Sequence, residues 1–219
     1  LVGAIAPRPI ALVSTVDADG KPNLAPYSFF NAFSSNPPIV VFSSNRRTTD
    51  NSTKDTLNNL QATGEVVINM VNYDIVRQMS ISSIEFDSEV NEFEMAGLQT
   101  TPSEEVRPFR VAESPIQLEC RVQDIIPLGE EGGAGHLVVC RLLCMHIRED
   151  ILGKKNRIDP HKADLMGRMG RSYYVRASGD AIHTVYQSIM KPCIGYPNLP
   201  KSVRESAILT ANDIGRLAG

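Results

Sequence analysis

The sequence has no excess of positive charge and no long apolar run. Its 219 residues include 22 Lys and Arg against 25 Asp and Glu, for a formal net charge of -3. Nucleic-acid phosphates select proteins with a basic surface, so this balance argues against nucleic acid as the main partner. A membrane-spanning helix needs about 18 or more apolar residues in a row, and no such run occurs. We therefore expect a globular protein with neither a nucleic-acid nor a membrane partner.

Cysteine is also scarce, and its four occurrences are scattered. They are Cys120, Cys140, Cys144 and Cys193, and none forms a C-x-x-C pair. Scattered thiols in a chain of this size are typical of a reducing compartment, so we expect a cytoplasmic protein. Cys140 and Cys144 are closest in sequence, but four residues along a strand separate their Cα atoms by about 13 Å, beyond disulfide reach. We expect both to pack in the core.

Several motifs of nucleotide binding and catalysis are missing. No G-x-G-x-x-G fingerprint occurs, and the stretch from Gly129 to Gly135 lacks the Lys-Ser/Thr pair of a phosphate-binding P-loop. No serine lies in a nucleophile elbow, and the four histidines show no metal-ligand spacing. These absences argue against a Rossmann domain, a P-loop and a serine hydrolase. We predict no metal site and assign no general acid or base.

What the sequence does contain is a series of short, β-branched segments separated by turns. The segments that read as strands are Ile10–Asp17, Asn23–Phe30, Ile39–Ser44, Glu65–Val71, Ile116–Ile126, Leu137–Ile151 and Tyr173–Ala177. Short helices are expected over Lys54–Thr63, Tyr73–Ile81 and Val90–Ala96. No regular β-α-β alternation appears, which favours an antiparallel barrel or sandwich. No linker is evident, so we expect one domain over residues 1–219, with a C-terminal extension after Asp180 that the pattern does not place.

Two polar segments at predicted strand ends are candidates for ligand binding. One runs from Ala25 to Asn31 and mixes hydroxyls, aromatic rings and an amide. The other runs from Ser43 to Arg47 and is followed by Lys54-Asp55-Thr56 at a predicted helix start. A helix N-terminus with cations and hydroxyls nearby suits a phosphate group. From spacing alone, a solvated loop beside a capped helix explains these segments equally well.

A longer pattern separates these readings. The segments PRPIALVSTVDADGKPNLAPYSFFNAFSSNPPIVVFSS and KDTLNNLQATGEVVINMV resemble the flavin reductase-like, FMN-binding split-barrel family, which includes flavoredoxins and the reductase components of two-component monooxygenases. The likeness is dense from Pro7 to Val71. It resumes more weakly at Pro115–Ile126, Leu137–Ile151 and Gly167–Tyr173.

The resemblance implies a fold and an activity. The fold is a mainly β, six-stranded antiparallel Greek-key split barrel, assembled as a homodimer with FMN near the subunit interface. The activity is that of an oxidoreductase, in which NAD(P)H reduces the bound flavin. Electrons then pass to free flavin, or to a monooxygenase or other electron-acceptor protein. Two alternatives stay open: a flavoredoxin-like electron carrier without NAD(P)H turnover, and a flavin- or haem-binding barrel with no redox role.

The resemblance also implies site residues. Those that it places along FMN, from the ring to the phosphate, are Tyr27, Ser28, Asn31, Ser43, Ser44, Arg46, Lys54, Asp55 and Thr56. It places Arg168 and Tyr173 at the open face where a substrate stacks. The family often reads R-L-G-G at this point, whereas this chain has Arg168-Met169-Gly170-Arg171, so an arginine replaces a glycine. His161, in a predicted loop before Gly167, is a further candidate for substrate contact.

Overall fold

The computed structural model describes residues 1–185 and 193–219. The chain divides into two compact units, Leu1–Ala181 and Ile182–Gly219. The strands of the first unit are β1 (Arg8–Pro9), β2 (Ala11–Val16), β3 (Pro22–Tyr27), β4 (Phe30–Ser35), β5 (Pro38–Asn45), β6 (Glu65–Met70), β7 (Thr100–Thr101), β8 (Arg110–Val111), β9 (Ile116–Pro127), β10 (Gly135–Ile147), β11 (Met166–Gly170) and β12 (Tyr173–Arg176). Its helices are α1 (Asp55–Thr63), α2 (Val76–Ile81), α3 (Glu92–Ala96) and α4 (Pro160–Ala163).

The main sheet contains seven strands in the order β3-β2-β6-β9-β10-β5-β4, and every neighbouring pair is antiparallel. The sheet curls so that its first and sixth strands meet. Tyr27 on β3 and Phe42 on β5 place their ring centroids 5.2 Å apart. The Ser43 N–H on β5 donates to the Phe29 carbonyl just after β3, at 2.8 Å. This closure makes a barrel around the apolar core.

The strand β2 shows why the sequence folds in this way. All six of its residues are buried, as its β-branched, largely apolar pattern predicts for a strand covered on both faces. Ala11 and Val13 face the barrel interior with Phe42. Leu12, on the opposite face, joins a second cluster that contains Met79 of α2 and Phe93 of α3. The two short helices therefore cover the outside of the barrel beside the start of β2.

The helix α1 closes one end of the barrel. Leu57 and Leu60 are buried in the interior cluster, at the helical spacing read from the sequence. The helix ends where Gly64 adopts a left-handed conformation with φ 67°. Glycine takes this conformation without steric strain, so the predicted C-terminal stop at Gly64 is confirmed.

A separate three-stranded sheet, in the order β1-β11-β12, brings the N-terminal segment against the hairpin of β11 and β12. Arg8 lies opposite Arg168 in this pairing. The hairpin turns at Gly170 and Arg171, which have φ values of 100° and 49°. Both values lie in the left-handed region, so an arginine occupies a conformation that favours glycine.

The sequence predictions hold for the class of fold and differ in detail. The mainly β, antiparallel barrel is confirmed, with seven strands in the main sheet instead of six. The extra strand is β4, which the sequence reading missed because it extended the previous strand to Phe30. The residues of β4 are largely exposed and pair only with β5, so they lack the apolar alternation of a half-buried strand.

The expectation for the two close cysteines is confirmed for one of them. Cys140 is fully buried in the interior cluster. Cys144 is only half-buried, and its Sγ lies 3.5 Å from His146 Nε2 on the outside of the barrel. An irregularity in the pairing of β10 with β9, at Leu142/Cys144, interrupts the regular alternation between these two cysteines.

The second unit contains α5 (Lys201–Arg204) and α6 (Ala211–Ala218). A capping box between Thr210 and Asp213 begins α6. Near the end of that helix, the Ala218 carbonyl accepts a hydrogen bond from the Gly195 N–H at 2.8 Å. Among the residues described, no helix is both long enough and apolar enough to cross a membrane.

Candidate functional site

Three clefts that share lining residues follow one side of the barrel in the first unit. We call the largest, of about 260 Å³, the central cleft. The outer cleft, of about 180 Å³, shares Tyr27, Ser28 and Arg168 with it. The helix cleft, of about 80 Å³, lies at the start of α1 and shares Lys54 with the central cleft. Pro26 lines all three, so the clefts form one continuous groove along the end of β3.

Tyr27 forms the floor of the groove. It is buried, and its hydroxyl lies 3.5 Å from Ser44 Oγ, which is itself fully buried. Burial raises the pKa of the Tyr27 phenol, and the hydrogen bond from Ser44 only partly offsets this, so the hydroxyl is neutral at physiological pH. Lys54 Nζ lies 5.8 Å from the centroid of the Tyr27 ring. The floor is therefore a flat ring with a cation at one end.

The start of α1 provides hydrogen-bond donors beside this cation. Lys54 is the N-cap residue, and no side chain in residues 1–185 caps the first turn. The first two residues of α1, Asp55 and Thr56, line the helix cleft, and their N–H groups at the positive end of the helix dipole have no side-chain acceptor among the described residues. Thr56, in the same turn, is buried, and its Oγ1 accepts a hydrogen bond from Asn23 Nδ2 at 2.9 Å. An anion at this end of the groove would meet a cation, a hydroxyl and backbone donors.

The second arginine of the Arg46-Arg47 pair lines the helix cleft, not the first. Arg46 turns away and bonds Asn51, with Nε 2.7 Å from Oδ1. Arg47 lines the cleft and donates to Ser52 Oγ at 3.2 Å. The sequence reading singled out Arg46 from this pair. The signal that favours Arg47 is strand alternation, because successive side chains leaving β5 point to opposite sides.

Carboxylates also line the helix cleft, and two of them lie close to one of its two cations. Asp55 and Glu85 each lie 3.7 Å from the Arg47 guanidinium. Glu92 accepts a hydrogen bond from the Leu24 N–H, and burial raises the pKa of its carboxyl. Lys54 has no such ion pair in the described part of the chain. Of the two cations in this cleft, Lys54 is therefore the one available to a ligand.

Arg8 and Phe29 form one wall of the central cleft. Arg8 is buried, and its guanidinium donates to the carbonyls of Val2 and Ile5. Its Nε also donates to Ser28 Oγ at 3.4 Å, and its Cζ lies 5.6 Å from the Phe29 ring centroid. The sequence reading included Ser28 but not Arg8. The segment Pro7-Arg8-Pro9 was read only as part of the barrel, and a buried arginine has no signature in the pattern.

The hairpin of β11 and β12, which pairs with β1, supplies a further part of the lining. Arg168 lines both the central and outer clefts, with its Cζ 4.5 Å from the centroid of the Tyr174 ring. Tyr173 is 70% exposed and lines none of the three clefts, whereas Tyr174 lines the outer one. Neighbouring residues on a strand point to opposite faces, so only one of the two tyrosines can face the groove. Arg171 lines the central cleft beside Gly170.

The remaining predicted residues divide into two groups. Ser43 lines the central cleft and donates to Asn45 Oδ1 at 3.1 Å, while Asp55 and Thr56 line the helix cleft. Asn31 is exposed on β4, where its Oδ1 accepts from the Ala32 N–H at 2.8 Å. His161 is exposed in α4. Neither Asn31 nor His161 lines any of the three clefts described above.

Comparison with known proteins identifies the family. The sequence pattern of the flavin reductase like domain matches residues 3–162, about three quarters of the chain. The chain belongs to the flavin reductase like family. A protein of Aquifex aeolicus is 37% identical to this flavin reductase like protein over 180 residues, which cover 82% of the chain and 89% of the relative.

Comparison with solved structures supports the same family and fold. Nitrilotriacetate monooxygenase component B from Bacillus cereus is 29% identical with a TM-score of 0.76, over 85% of this chain and 90% of that one. A split-barrel protein described as a flavin reductase, from Shewanella frigidimarina, is 23% identical with a TM-score of 0.71, over 83% and 86% of the two chains. The family and the split-barrel fold predicted from the sequence are thereby confirmed.

A second polar cluster of this flavin reductase like protein lies away from the groove. Glu119 on β9 is fully buried and accepts from the N–H groups of Glu104 at 3.0 Å and Glu105 at 2.6 Å. His146 Nε2 lies 2.6 Å from the same carboxylate. Burial by itself would raise the pKa of Glu119, but these hydrogen bonds outweigh it and hold the pKa below its ordinary value. The cluster fastens the loop before β8 to the barrel wall.

Proposed function

We propose that this protein binds FMN in the groove and acts as an NAD(P)H-dependent flavin reductase, passing electrons to free flavin or to a partner protein. The observation that carries the proposal is the continuity of the groove. One end has the uncapped start of α1 with Lys54, the middle has the flat floor of Tyr27, and the far end has Arg168 and Tyr174. FMN has the same sequence of parts: a phosphate, a polar chain and a flat ring with one face open to a donor.

The residues present fit the phosphate of FMN. Phosphate oxygens need cations and N–H or O–H donors, and helix N-termini commonly supply them. Lys54, Thr56 and the first turn of α1 supply all three kinds of group. Arg47 already forms ion pairs with Asp55 and Glu85. We therefore assign the main contact with the phosphate charge to Lys54 and a weaker one to Arg47.

The middle of the groove fits the remainder of the cofactor. Ser43 and Asn45 are small polar side chains suited to the hydroxyls of the ribityl chain. Pro26, Tyr27 and Ser28 offer an apolar surface with backbone groups at its edge, suited to the isoalloxazine ring. We do not assign Asn31 or Arg46 to the cofactor within one chain, because both turn away from the groove.

The chemistry is supplied by the cofactor, since bound FMN accepts a hydride and hands its electrons on. The part played by the chain is to orient the ring and surround it with positive charge from Lys54, Arg8 and Arg168. None of the residues that line the central cleft is a histidine, aspartate or glutamate. The reductase therefore depends on stacking and charge, without a general acid or base.

We place the reductase ahead of the simple electron carrier because the central cleft is open and cationic, and so accessible to a phosphate-bearing donor.

We further propose a cytoplasmic homodimer. The edge strand β4 presents Phe33, which is 68% exposed, and a backbone edge that pairs only with β5 on its other side. Because nitrilotriacetate monooxygenase component B is a monooxygenase component by name, a monooxygenase is a candidate electron acceptor.

Reconstitution with FMN tests the cofactor assignment. The purified protein is mixed with excess FMN, passed through a desalting column and examined for flavin absorbance. We expect about one FMN retained per chain and tighter binding of FMN than of riboflavin, which lacks the phosphate. Protein that emerges colourless after reconstitution would overturn the proposed function.

A further inference from the structure

The central cleft has an unbalanced charge. Of the twelve residues that line it, four are cationic and none is acidic. The four are Arg8, Lys54, Arg168 and Arg171. A cleft lined by charges of one sign focuses the electrostatic potential and attracts ligands of the opposite sign. The cleft is therefore built for an anion, and the question is which of the four cations receive it.

Two of the four cations already have a role. Arg8 is buried and donates to the carbonyls of Val2 and Ile5, so it holds the N-terminal segment in place. Lys54 lies at the α1 end, where the proposed function assigns it to the FMN phosphate. The charge that remains is that of Arg168 and Arg171, on the hairpin of β11 and β12.

Neither Arg168 nor Arg171 has an acidic partner in the part of the chain that the structure describes. In the described residues, no hydrogen bond or ion pair satisfies either guanidinium. Arg168 stacks on Tyr174 with 4.5 Å between Cζ and the ring centroid, which fixes the plane of the guanidinium and leaves its N–H edges available. Planar, bidentate donors of this kind match phosphate oxygens.

Arg171 is held in an unfavourable backbone conformation. Its φ of 49° is left-handed, which costs a non-glycine residue about 1 kcal/mol, and Gly170 before it has a φ of 100°. Glycine at position 171 would remove this strain. A strained arginine that lines a cleft and has no polar partner among the described residues points to a functional contact.

We propose that Arg168 and Arg171 bind the phosphate groups of the nicotinamide dinucleotide that donates the hydride. This inference rests on the proposed function, because it assumes that a dinucleotide approaches the flavin from the open face. The reduced nicotinamide ring carries no negative charge. The phosphate groups of the dinucleotide are therefore the part that the two arginines attract. The pair acts on binding of the donor, and it raises affinity more than the rate of hydride transfer.

The test compares donors that differ in their phosphates. NADH, NADPH and the neutral donor 1-benzyl-1,4-dihydronicotinamide are used to reduce the FMN-loaded wild type and Arg171→Gly. For NADH and NADPH we expect kcat/KM to fall about tenfold through KM, the usual size of one lost charge-assisted hydrogen bond. For the neutral donor we expect no change. Arg171→Lys should recover part of the loss.

Lys155→Gly is the matched control. Lys155 also has a left-handed φ, of 61°, but it is exposed and lines none of the three clefts. Lys155→Gly should leave kcat/KM unchanged for all three donors.

Four results would overturn the inference. An equal fall with all three donors would mean that the turn only shapes the cleft. An unchanged kcat/KM of Arg171→Gly for NADH and NADPH would show that Arg171 does not bind the donor. A raised KM for free FMN as the acceptor, with an unchanged KM for the donor, would show that Arg171 binds the acceptor instead. If no donor reduces the FMN-loaded wild type, the proposed function fails together with this inference, and FMN retention on desalting then shows that the flavin site itself stands.

Discussion

At the scale of single residues, Lys54 is the side chain on which the flavin assignment depends most. Its ammonium lies over the Tyr27 ring at the uncapped start of α1, without an ion pair among the described residues. Lys54→Ala should weaken FMN binding about tenfold, since a hydrogen bond to a charged group is worth about 1.5 kcal/mol or more. Riboflavin binding should change little, because it has no phosphate. Both affinities can be measured by quenching of flavin fluorescence.

Lys154→Ala is the control for this test. Lys154 is exposed and lines none of the three clefts, so its loss should leave both affinities unchanged. Equal weakening of FMN and riboflavin by Lys54→Ala would contradict the phosphate contact and would assign Lys54 to the ring.

A second residue-scale prediction concerns Glu119. Its pKa is held below the ordinary value of about 4.3, so its ionised form stabilises the fold above that pH, and this contribution is lost as the pH falls through the lower, folded-state pKa. Glu119→Gln should lower the free energy of unfolding at pH 7 by about 2 kcal/mol, because the buried N–H donors lose a charged acceptor. The difference from wild type should shrink below about pH 4.

Urea unfolding at several pH values measures this difference. Glu105→Gln is the matched control, since only the backbone N–H of Glu105 reaches the cluster and its side chain is exposed. A difference that stays constant from pH 3 to pH 7 would show that the ionisation of Glu119 does not contribute.

At the scale of elements, the turn between β11 and β12 provides a prediction about packing. A Cβ on Gly170 would lie 3.0 Å from the Val2 carbonyl oxygen, whereas a Cβ on Gly20 would meet nothing within 4 Å. Both glycines have positive φ, of 100° and 89°. Each alanine substitution should therefore lose about 1 kcal/mol from backbone strain, and Gly170→Ala should lose more because it also displaces the N-terminal segment. Equal losses in urea unfolding would show that the contact with Val2 is unimportant.

The elements also show what the sequence pattern can and cannot predict. Helix α1 and strand β2 were predicted closely, because Leu57, Leu60 and Gly64 follow helical spacing and capping, and β2 is a β-branched, largely apolar run. Strand β4 was missed because its extended conformation depends on hydrogen bonds to β5. Such pairing leaves no alternation of apolar and polar residues in the sequence of β4. The two tyrosines at 173 and 174 were confused for a related reason, since a register decides which one faces the groove.

At the scale of the whole molecule, the family pattern established the barrel, and the structure decided which polar residues meet. Tyr27, Ser28, Ser43, Lys54, Thr56 and Arg168 come together as predicted from separate segments. Arg8 and Tyr174 join them without a signal in the sequence, whereas strand alternation after β5 favours Arg47 over Arg46. Their positions depend on burial and on the closure of the sheet, which sequence spacing does not encode.

The proposed dimer is also a property of the whole molecule. Light scattering should give twice the chain mass of 24.0 kDa. Phe33→Glu should shift the mass toward that of one chain, because it places a charge on the exposed face of β4. Phe33→Tyr, which keeps the ring, should not. A single-chain mass for the wild type would contradict the dimer.

The central claim is that flavin held in this groove accepts a hydride from a reduced nicotinamide. The most direct measurement is anaerobic stopped-flow spectroscopy of the FMN-loaded protein mixed with NADH or NADPH. We predict that the flavin absorbance bleaches in an exponential phase whose rate saturates with donor concentration, which indicates a donor complex formed before transfer. Bound FMN that stays oxidised with both donors, yet is reduced by dithionite, would contradict the account and leave a flavin carrier in its place.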